Sequence, residues 1–330
     1  MKNTAITLAN RPSGIVEASN FNVEEHTVPE LEDGQLLIQI EYISLDPAMR
    51  GWMNKGTTYI KGVEIGAVMR GFAAGKVIQS KNIAYQEGDY VTGMLGVQTY
   101  VISDGKGLTK VDIKAGRLSL HIGVLGMPGM TAYFGLLKKG QPKAGETVFI
   151  SGAAGIVGST VGQIAKIKGC KVIGTAGSDK KCDYLINDCN FDAAINYKTQ
   201  NIDKELKKHA PSGVDIFYDN VGGEILDIAL ANLARGARVV ICGAISQYNK
   251  PKIQGPSNYM KIVTARGYIN GIIVFDYIDQ YPEGVKDIGT WLSEGKMQSK
   301  EHIIEGIENF PDTLKMLFTG DNFGKLLLKI

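Results

Sequence analysis

Apolar and polar positions along the first third of the chain follow the short, glycine-bounded pattern of β-strands. The segments concerned are GQLLIQIEYISL (34–45), GFAAGKVIQS (71–80) and GDYVTGMLGVQTYVIS (88–103). Each is rich in β-branched or aromatic residues. In HIGVLGMPGMTAYFGLLKKG (121–140) the apolar positions instead recur at helical spacing. The pattern therefore predicts an all-β region that ends near residue 115, followed by a helix.

Strand patterns alternate with helix patterns from residue 146 onward. The predicted strands are TVFI (147–150), CKVIGTAG (170–177), AAINY (193–197), VDIFYD (214–219) and ARVVICGAI (237–245). The predicted helices are GSTVGQIAKIKG (158–169), DKKCDYLINDC (179–189), EILDIALANLARG (224–236) and KDIGTWLSEGKM (286–297). This alternation predicts an α/β fold with a parallel sheet covered on both faces. The closing KLLLKI (325–330) has no partner pattern in this block, so we expect it to return to the first region.

Composition and charge narrow the range of functions. The chain has 330 residues, 44% of them apolar, and a formal net charge of +2, and at about 100–200 residues per domain two domains are expected. No basic block suggests nucleic-acid binding, and no run of about 18 apolar residues suggests a membrane span. The start, MKNTAITLANRPSG, lacks the apolar core of a signal peptide. The four cysteines form no C-x-x-C pair, so we expect a reducing, cytoplasmic setting.

The stretch SGAAGIVGS (151–159) raises the first functional question. Gly152, Gly155 and Gly158 are spaced three residues apart, with Ala153 at the first position of a G-x-G-x-x-G frame. By itself the motif fits either a dinucleotide-binding turn or a tight turn without a ligand. The context favours the dinucleotide, because the turn follows a strand, opens a helix and precedes a second strand by about twenty residues.

The end of that second strand indicates which dinucleotide is bound. NAD-specific folds place an acidic residue there to accept from the ribose 2′-hydroxyl. This chain has GTAGSDKK (174–181), in which Ser178 and Lys181 offer a hydroxyl and a cation, and Asp179 suits the start of a helix. A 2′-phosphate needs such donors, so we predict NADPH. The alternative is that Lys181 is simply a solvated helix residue.

Histidine and cysteine positions form no metal-binding pattern. No cysteine precedes Cys170, and His26, His121, His209 and His302 have no His or Cys neighbour at ligand spacing. Zinc sites need closely spaced ligands of these types. We therefore expect no metal site, and we interpret the histidines as surface or satisfied loop residues.

A series of motifs in fixed order resembles one known family over nearly the whole chain. The motifs are YISLDPAMRGWM (42–53), TTYIKGVEIGAVMRGFAAGKV (57–77), GMPGMTAY (126–133), residues 151–182, INYKT (195–199), YDNVGGE (218–224), ICGAISQYN (241–249) and GDNFGK (320–325). The family comprises zinc-independent medium-chain dehydrogenases/reductases, specifically the leukotriene B4 12-hydroxydehydrogenase/prostaglandin reductase group of NADPH-dependent alkenal/one oxidoreductases. The resemblance implies a GroES-like, partly open β-barrel domain (1–125 plus 290–330). It also implies a Rossmann NADPH-binding domain (126–289).

The resemblance also implies a set of cofactor contacts. The residues concerned are Thr131, Gly155, Ile156, Val157, Gly158, Ser159, Ser178, Lys181, Tyr197, Asn220, Cys242, Gly243, Ala244, Ile245, Ser246, Gln247, Tyr248, Ile272, Ile273, Val274 and Asn322. Residues 155–159 would hold the pyrophosphate, and Lys181 and Tyr197, beside Ser178, would bind the 2′-phosphate. Asn220 would lie near the adenosine or ribose. Residues 242–248 would lie along the nicotinamide half, with Thr131 at the carboxamide.

Without a Lewis acid, the chemistry that fits best is conjugate reduction. A hydride reaches the β-carbon of an enone or enal, and one or two hydrogen-bond donors stabilise the enolate oxygen. The candidate donors are Tyr59 and Tyr259, although either could be a packing residue with a wet hydroxyl. The plant branch of the family places a tyrosine where this chain has Thr264, and Tyr259 is the nearest aromatic residue. Met53, Met127 and Met130 are candidates for an apolar substrate pocket or, equally, for the core.

Two other functions share these features. A quinone oxidoreductase of the same superfamily would have the same fold and cofactor, and a non-catalytic NADPH-binding protein would have the same cofactor site. The YISLDPAMRGWM and TTYIKG segments favour the reductase of small α,β-unsaturated carbonyl compounds. We also expect a homodimer, with ARVVICG (237–243) or GIIVFDY (271–277) as its edge strand.

Overall fold

The chain folds into two units, one mostly of β-strands and one in which strands and helices alternate. The computed structural model describes residues 1–114 and 116–330, so Ala115, near which the β region was predicted to end, lies outside the described residues. The first unit comprises Met1–Gly123 and Glu301–Ile330, and the second unit comprises Val124–Lys300. The sequence analysis drew these borders at 125/126 and 289/290.

Antiparallel pairing builds the amino-terminal part of the first unit. Its elements are β1 (Lys2–Leu8), β2 (Phe21–Thr27), β3 (Leu36–Ser44), α1 (Ala48–Trp52), β4 (Ala73–Ser80), β5 (Tyr90–Gly93), β6 (Tyr100–Ser103) and β7 (Thr109–Val111). β1 pairs with β2, the strands β3, β4, β5 and β7 pair in succession, and β6 pairs with β3. The region predicted as strand over 88–103 therefore contains two strands. They are separated at Gly96, whose φ of +79° is incompatible with an extended strand.

The second unit contains the predicted parallel sheet. Its strands are β8 (Thr147–Ile150), β9 (Lys171–Ala176), β10 (Ala193–Asn196), β11 (Val214–Asp219), β12 (Leu233–Ile241) and β13 (Tyr268–Gly271). They are all parallel, in the order β10-β9-β8-β11-β12-β13. Strand order reverses between β8 and β11, which confirms the doubly wound sheet.

Helices cover this sheet. They are α2 (Met127–Phe134), α3 (Ile156–Ile167), α4 (Asp179–Asn187), α5 (Ile202–His209), α6 (Gly223–Ala231), α7 (Lys261–Ala265) and α8 (Tyr281–Ser293). A π-helical stretch, Gly135–Gly140, continues α2. The central strands are buried on both faces, because Phe149 and Ile150, which point to opposite faces of β8, are both fully inaccessible. Continuous apolar strand sequences are the signature of such a sheet.

Two sequence predictions about the second unit were wrong. The helix predicted over 224–236 ends at Ala231, because Leu233 pairs with Val214 of β11 and opens β12. Residues 237–241 of ARVVICG lie in β12, between β11 and β13, so the segment is not an edge strand. GIIVFDY begins at the last residue of β13 and continues into a 3₁₀ helix, Val274–Gln280. The strand at that edge is β13.

The carboxyl-terminal segment returns to the first unit, as the sequence analysis expected. It contains β14 (Glu301–Glu305), α9 (Phe310–Thr319) and β15 (Lys325–Lys329). β15 pairs antiparallel with β3 and parallel with β14, and Leu326 and Leu328 join the buried core of the unit. Lys325 is also buried, and its ammonium group lies 3.0 Å from the Asp46 carboxylate.

Candidate active site

The carboxyl ends of the parallel strands carry nearly all the residues expected at the cofactor in the second unit. The turn 151–159 follows β8, Ser178 follows β9, Tyr197 follows β10 and Asn220 follows β11. Residues 242–248 follow β12, and residues 272–274 follow β13. In a doubly wound sheet, ligands bind at this edge, where the strand order reverses.

Glycine occupies three positions of the turn after β8 for different structural reasons. Gly152 has a φ of +59°, a conformation that favours glycine. A Cβ added at Gly158 would lie 2.6 Å from the Cα of Ala153, so this glycine allows α3 to pack closely on the turn. At Gly155, which precedes α3, the nearest atom to an added Cβ would be the Gly152 carbonyl oxygen at 3.5 Å. A Cβ at Gly155 would therefore meet no clash; the residue is half-buried, and the first N–H groups of α3 follow it.

The ends of β9 and β10 place two hydroxyl-bearing residues near the start of α4. Ser178 caps α4, accepting from the backbone N–H of Lys181 at 3.3 Å. The hydroxyl of Tyr197 lies so close to Gly177 that a Cβ there would be 2.7 Å from it. Asp179 is held by Asn196, whose amide nitrogen donates to its carboxylate at 2.7 Å. The nearby acid is thus engaged within the protein, whereas Ser178 and Tyr197 lie beside the start of α4.

A buried carboxylate links the ends of β8 and β11. Ser151 donates to Asp219 at 2.7 Å, and the N–H groups of Val221 and Gly222 donate to the same carboxylate oxygen at 3.0 and 2.9 Å. Burial raises the pKa of Asp219, and these hydrogen bonds oppose the increase. The Ser151 hydroxyl accepts from the Asn220 N–H, and the Asn220 side chain donates to the Ser151 carbonyl, both at 2.8 Å. Asn220 is therefore fixed by this network.

Sequence reasoning did not identify Ser151 or Asp219 as site residues. The available signal was a polar residue directly after an apolar run, VFI before Ser151 and IFY before Asp219, because a polar group in a buried sheet must find a partner. Their separation of 68 residues hides that partnership in the sequence.

The segment after β12 forms a turn held by side chains. Ser246 donates to the carbonyl of Val221 at 2.7 Å, and the Ala244 N–H donates to the Tyr248 hydroxyl at 3.2 Å. A Cβ on Gly243 would lie 2.8 Å from that hydroxyl, so glycine allows its close approach. Burial raises the pKa of the Cys242 thiol to about 12, which keeps it protonated and unreactive at neutral pH.

Several other candidates are engaged in local structure. Thr131 donates to the Met127 carbonyl at 2.8 Å within α2, and Asn322, in the first unit, donates to the Gly324 carbonyl at 3.3 Å. Met53 and Met130 are fully buried core residues, whereas Met127 is half-buried. Their burial favours a role for Met53 and Met130 in the core and not in a substrate pocket.

The residues that follow β13, and the aromatic residue before α7, differ in exposure. Ile272 and Val274 are buried, whereas Ile273 is 37% exposed. Tyr259 precedes α7 and is 60% exposed. Thr264 donates to the Lys261 carbonyl within α7 at 2.9 Å, so its hydroxyl serves the helix.

Tyr59 lies in the first unit on a loop between α1 and β4. The loop is closed by the Gly62 N–H, which donates to the Gly56 carbonyl at 2.9 Å. Only a residue without a Cβ fits at Gly62, since a Cβ would collide with the Asn54 carbonyl oxygen. Tyr59 is 49% exposed, and its hydroxyl oxygen accepts from the indole nitrogen of Trp52 at 3.1 Å.

The described residues include neither a metal-ligand cluster nor a membrane-spanning helix. Across residues 1–114 and 116–330, no group of three or more His, Cys, Asp or Glu side chains is arranged to hold a metal ion. Two of the histidines pair with glutamates: His26 with Glu24 at 3.2 Å and His209 with Glu205 at 3.6 Å. In the part of the chain that the structure describes, the helices are too short or too polar to cross a membrane.

Comparison with known proteins agrees with this geometry. Residues 4–111 match the family model described as the N-terminal domain of oxidoreductase, and residues 157–289 match the model described as zinc-binding dehydrogenase. The NADPH-dependent curcumin reductase of Escherichia coli (strain K12) is 40% identical, covering 100% of this chain and 97% of that protein. The NADP(+)-dependent 2-alkenal reductase of Nicotiana tabacum is 38% identical, covering 100% of this chain and 98% of that protein.

A solved structure is similar over the same length. The crystal structure of CurA in complex with NADPH from Vibrio vulnificus has a TM-score of 0.94 at 39% identity, covering 99% of this chain and 98% of that chain. Full-length similarity of this degree, in both sequence and structure, includes both units. The chain therefore belongs to the alkenal/one oxidoreductase family of medium-chain dehydrogenases/reductases.

Proposed function

We propose that the chain is an NADPH-dependent reductase of the carbon–carbon double bond in α,β-unsaturated aldehydes and ketones. The observation that carries this proposal is the carboxyl edge of the parallel sheet, where Gly155, Ser178 and Tyr197 lie. The chain that carries this edge is 40% identical to an NADPH-dependent curcumin reductase. The second unit serves as the cofactor domain. The first unit, GroES-like in the family, serves as the substrate domain.

The residues of the second unit suit NADPH. The backbone at Gly155 and the first turn of α3 would hold the pyrophosphate, since helix N–H groups there bind anions. Ser178, Lys181 and Tyr197 would hold the 2′-phosphate, because Asp179, the acid nearest to them in sequence, is engaged by Asn196. Residues 220, 242–248 and 272–274, with Thr131 and Asn322, complete the proposed cofactor contacts. Bound NADPH supplies a hydride for the β-carbon of the substrate.

Tyr59 then stabilises the substrate oxygen. Negative charge grows on the carbonyl oxygen as the β-carbon receives the hydride, and a phenol that donates to this oxygen stabilises the enolate. The enolate then takes a proton at its α-carbon, from water, a tyrosine or a ribose hydroxyl relay, to give the saturated product. Tyr259 is the second candidate donor. We expect Tyr59→Phe to lower kcat about 10–100-fold, which corresponds to about 1.4–2.7 kcal/mol of transition-state stabilisation. Tyr42→Phe, a change at a half-buried tyrosine on β3 of the same unit, is the matched control.

The reaction proposed here needs no zinc. An enolate spreads its charge over carbon and oxygen, so hydrogen bonding can stabilise it without a Lewis acid. The donor set supports this proposal, because the described residues offer no cluster of the His, Cys, Asp or Glu ligands that zinc requires.

We further propose a homodimer formed through β13. This strand ends the sheet order, and its residues Tyr268 and Ile269 are 44% and 42% exposed. An exposed edge strand with apolar side chains invites pairing with another strand, and a second copy of the chain offers the same edge. Light scattering should give a dimer mass for the wild type and a monomer mass for Ile269→Lys.

A cytoplasmic location completes the proposal. The four cysteines, residues 170, 182, 189 and 242, are free thiols. Unpaired thiols persist in reducing compartments.

Isotope labelling tests the reaction itself. NADPH deuterated at C4 should place deuterium on the β-carbon of a saturated ketone when the substrate is an enone. Deuterium on the carbinol carbon of an allylic alcohol would contradict the proposal. NADPH consumption with a quinone but not with the enone would favour a quinone oxidoreductase. Cofactor binding without turnover of either would indicate a non-catalytic NADPH-binding protein.

A further inference from the structure

Tyr59, the proposed donor to the substrate, itself accepts a hydrogen bond. The indole nitrogen of Trp52 lies 3.1 Å from its hydroxyl oxygen. Because an indole N–H can only donate, the phenol oxygen accepts, and its own hydrogen is directed away from Trp52. A hydroxyl that accepts one hydrogen bond donates a stronger one, since successive bonds polarise each other.

Trp52 is itself held firmly in the core of the first unit. Its side chain packs into the buried cluster, and the whole residue is 2% exposed. Its carbonyl accepts from the Val63 N–H at 2.7 Å, which joins the end of α1 to the residue just beyond the Tyr59 loop. The guanidinium of Arg70 lies over the indole, 5.7 Å from the ring centroid, and donates to the Lys61 carbonyl at 2.8 Å. The indole therefore has little freedom to move.

Tyr59 is placed on a different kind of structure. The backbone of its loop is closed by the Gly62–Gly56 hydrogen bond and by a β-bridge between Thr57 and Lys61. The phenol extends from this loop and is half exposed, at 49%. Backbone closure fixes where the side chain begins, whereas its rotamer depends on side-chain contacts. The rigid indole supplies a directional contact of this kind.

We propose that Trp52 is a positioning residue for the reaction, whose indole N–H orients and polarises the Tyr59 phenol toward the carbonyl oxygen of the substrate. The inference rests on the proposed function, because Trp52 acts on the reaction through Tyr59. Every group in this arrangement, Arg70 included, belongs to the first unit.

A double-mutant cycle tests the coupling. Trp52→Phe should lower kcat about 3–10-fold, the size of one neutral hydrogen bond, and leave the KM for NADPH unchanged. In a Tyr59→Phe background the same change should lower kcat by less than about twofold, because the hydrogen bond is already absent. Trp291→Phe, at the other tryptophan, is the matched control and should leave kcat unchanged in both backgrounds.

The outcomes separate the inference from the function on which it rests. If Tyr59→Phe lowers kcat but Trp52→Phe lowers it by the same factor in both backgrounds, Trp52 acts only through packing and the inference is overturned. If Tyr59→Phe leaves kcat unchanged, the role of Tyr59 in the proposed function fails, and the inference fails with it. Should Trp52→Phe not fold, 3-benzothienylalanine at position 52 keeps the bicyclic shape without the N–H, and the same cycle applies.

Fluorescence tests the contact without reference to activity. The chain has two tryptophans, so Trp52 is the sole indole emitter in a Trp291→Phe background. Adding Tyr59→Phe should shift its emission to shorter wavelength, because the indole N–H loses a hydrogen-bond acceptor. Tyr259→Phe, a change in the second unit, should leave the emission unchanged. No shift with Tyr59→Phe would overturn the proposed contact and, with it, the positioning role.

Discussion

Replacing Gly155 by alanine tests whether the turn after β8 is built to admit a ligand. The added Cβ would lie 3.5 Å from the Gly152 oxygen, an ordinary van der Waals distance, and the φ of −77° at Gly155 suits alanine. At Gly158 the same methyl group would lie 2.6 Å from both the Ala153 Cα and the Gly152 oxygen. The folded chain itself should therefore tolerate a methyl group at residue 155 and resist one at residue 158.

Stability should respond accordingly. For Gly155→Ala, restriction of the unfolded chain stabilises the fold by about 0.4–1 kcal/mol. The weaker helix cap costs about 0.5–1 kcal/mol, so the two effects nearly cancel. The Tm should stay within about 2 °C of wild type, at about 2–4 °C per kcal/mol. For Gly158→Ala, overpacking costs about 1–3 kcal/mol, and the Tm should fall by about 2–12 °C.

NADPH affinity should respond to Gly155→Ala even though stability does not. A methyl group facing the pyrophosphate imposes an overpacking cost of about 1–3 kcal/mol in the complex, which raises the Kd about 5–150-fold. Calorimetric titration measures the Kd, and scanning calorimetry measures the Tm. Gly289→Ala is the matched control, because outside the neighbouring backbone of α8 no described atom lies within 4 Å of a Cβ there. A Kd for Gly155→Ala within about twofold of wild type would refute the assignment of the turn to the pyrophosphate.

Three further predictions concern the phosphate site, the metal and pH. Lys181→Ala should raise the KM for NADPH about 10–150-fold, the effect of losing about 1.5–3 kcal/mol of charge-assisted contact. The KM for NADH should stay nearly unchanged, and the neighbouring Lys180→Ala, as control, should leave the KM for NADPH nearly unchanged. Equal changes in KM for both cofactors would contradict the assignment. Exhaustive chelation should leave activity intact and elemental analysis should find no stoichiometric zinc, so a bound zinc whose removal abolishes turnover would overturn the mechanism. Burial raises the pKa of Glu146, but hydrogen bonds that include one from Arg238 outweigh it and hold the pKa below the usual 4.5. The ionised Glu146 therefore stabilises the fold above pH 4.5, and this contribution is lost as the pH falls through the folded-state pKa. Glu146→Gln should therefore cost about 1–3 kcal/mol at neutral pH and flatten the acid-side decline in the free energy of unfolding, whereas an unchanged slope would show that the pair contributes nothing.

The sequence predicted the order of β8, α3, β9 and α4 because each element carries a local signal. Apolar runs mark the buried strands, Gly152 and Gly155 mark the turn, and Asp179 marks the start of α4. The position of Ser178 at the end of β9 follows from that order alone. The 2′-phosphate hypothesis could therefore be built from spacing, before any contact was known.

Contacts between distant segments were beyond such reasoning. The end of α6 was misjudged because LAR continues the helical period, while pairing of Leu233 with Val214 draws the chain into a strand. The Asp219–Ser151 hydrogen bond depends on β11 lying next to β8, which only the strand order reveals. Local patterns specify elements, whereas tertiary pairing decides where they end and which polar groups meet.

The proposed site uses backbone N–H groups in the second unit and a side-chain hydroxyl in the first, and the Trp52–Tyr59 contact matters because a side chain must be oriented. The turn at Gly155 works through backbone N–H groups, which the helix positions without any side-chain entropy to lose. A phenol on an exposed loop must be ordered before it can donate, at about 0.5–1.5 kcal/mol for an immobilised side chain. That cost is as large as the gain from one neutral hydrogen bond, about 0.5–1.5 kcal/mol. An unoriented Tyr59 would therefore contribute less to catalysis, and a buried indole that fixes it beforehand turns the same phenol into a more effective donor.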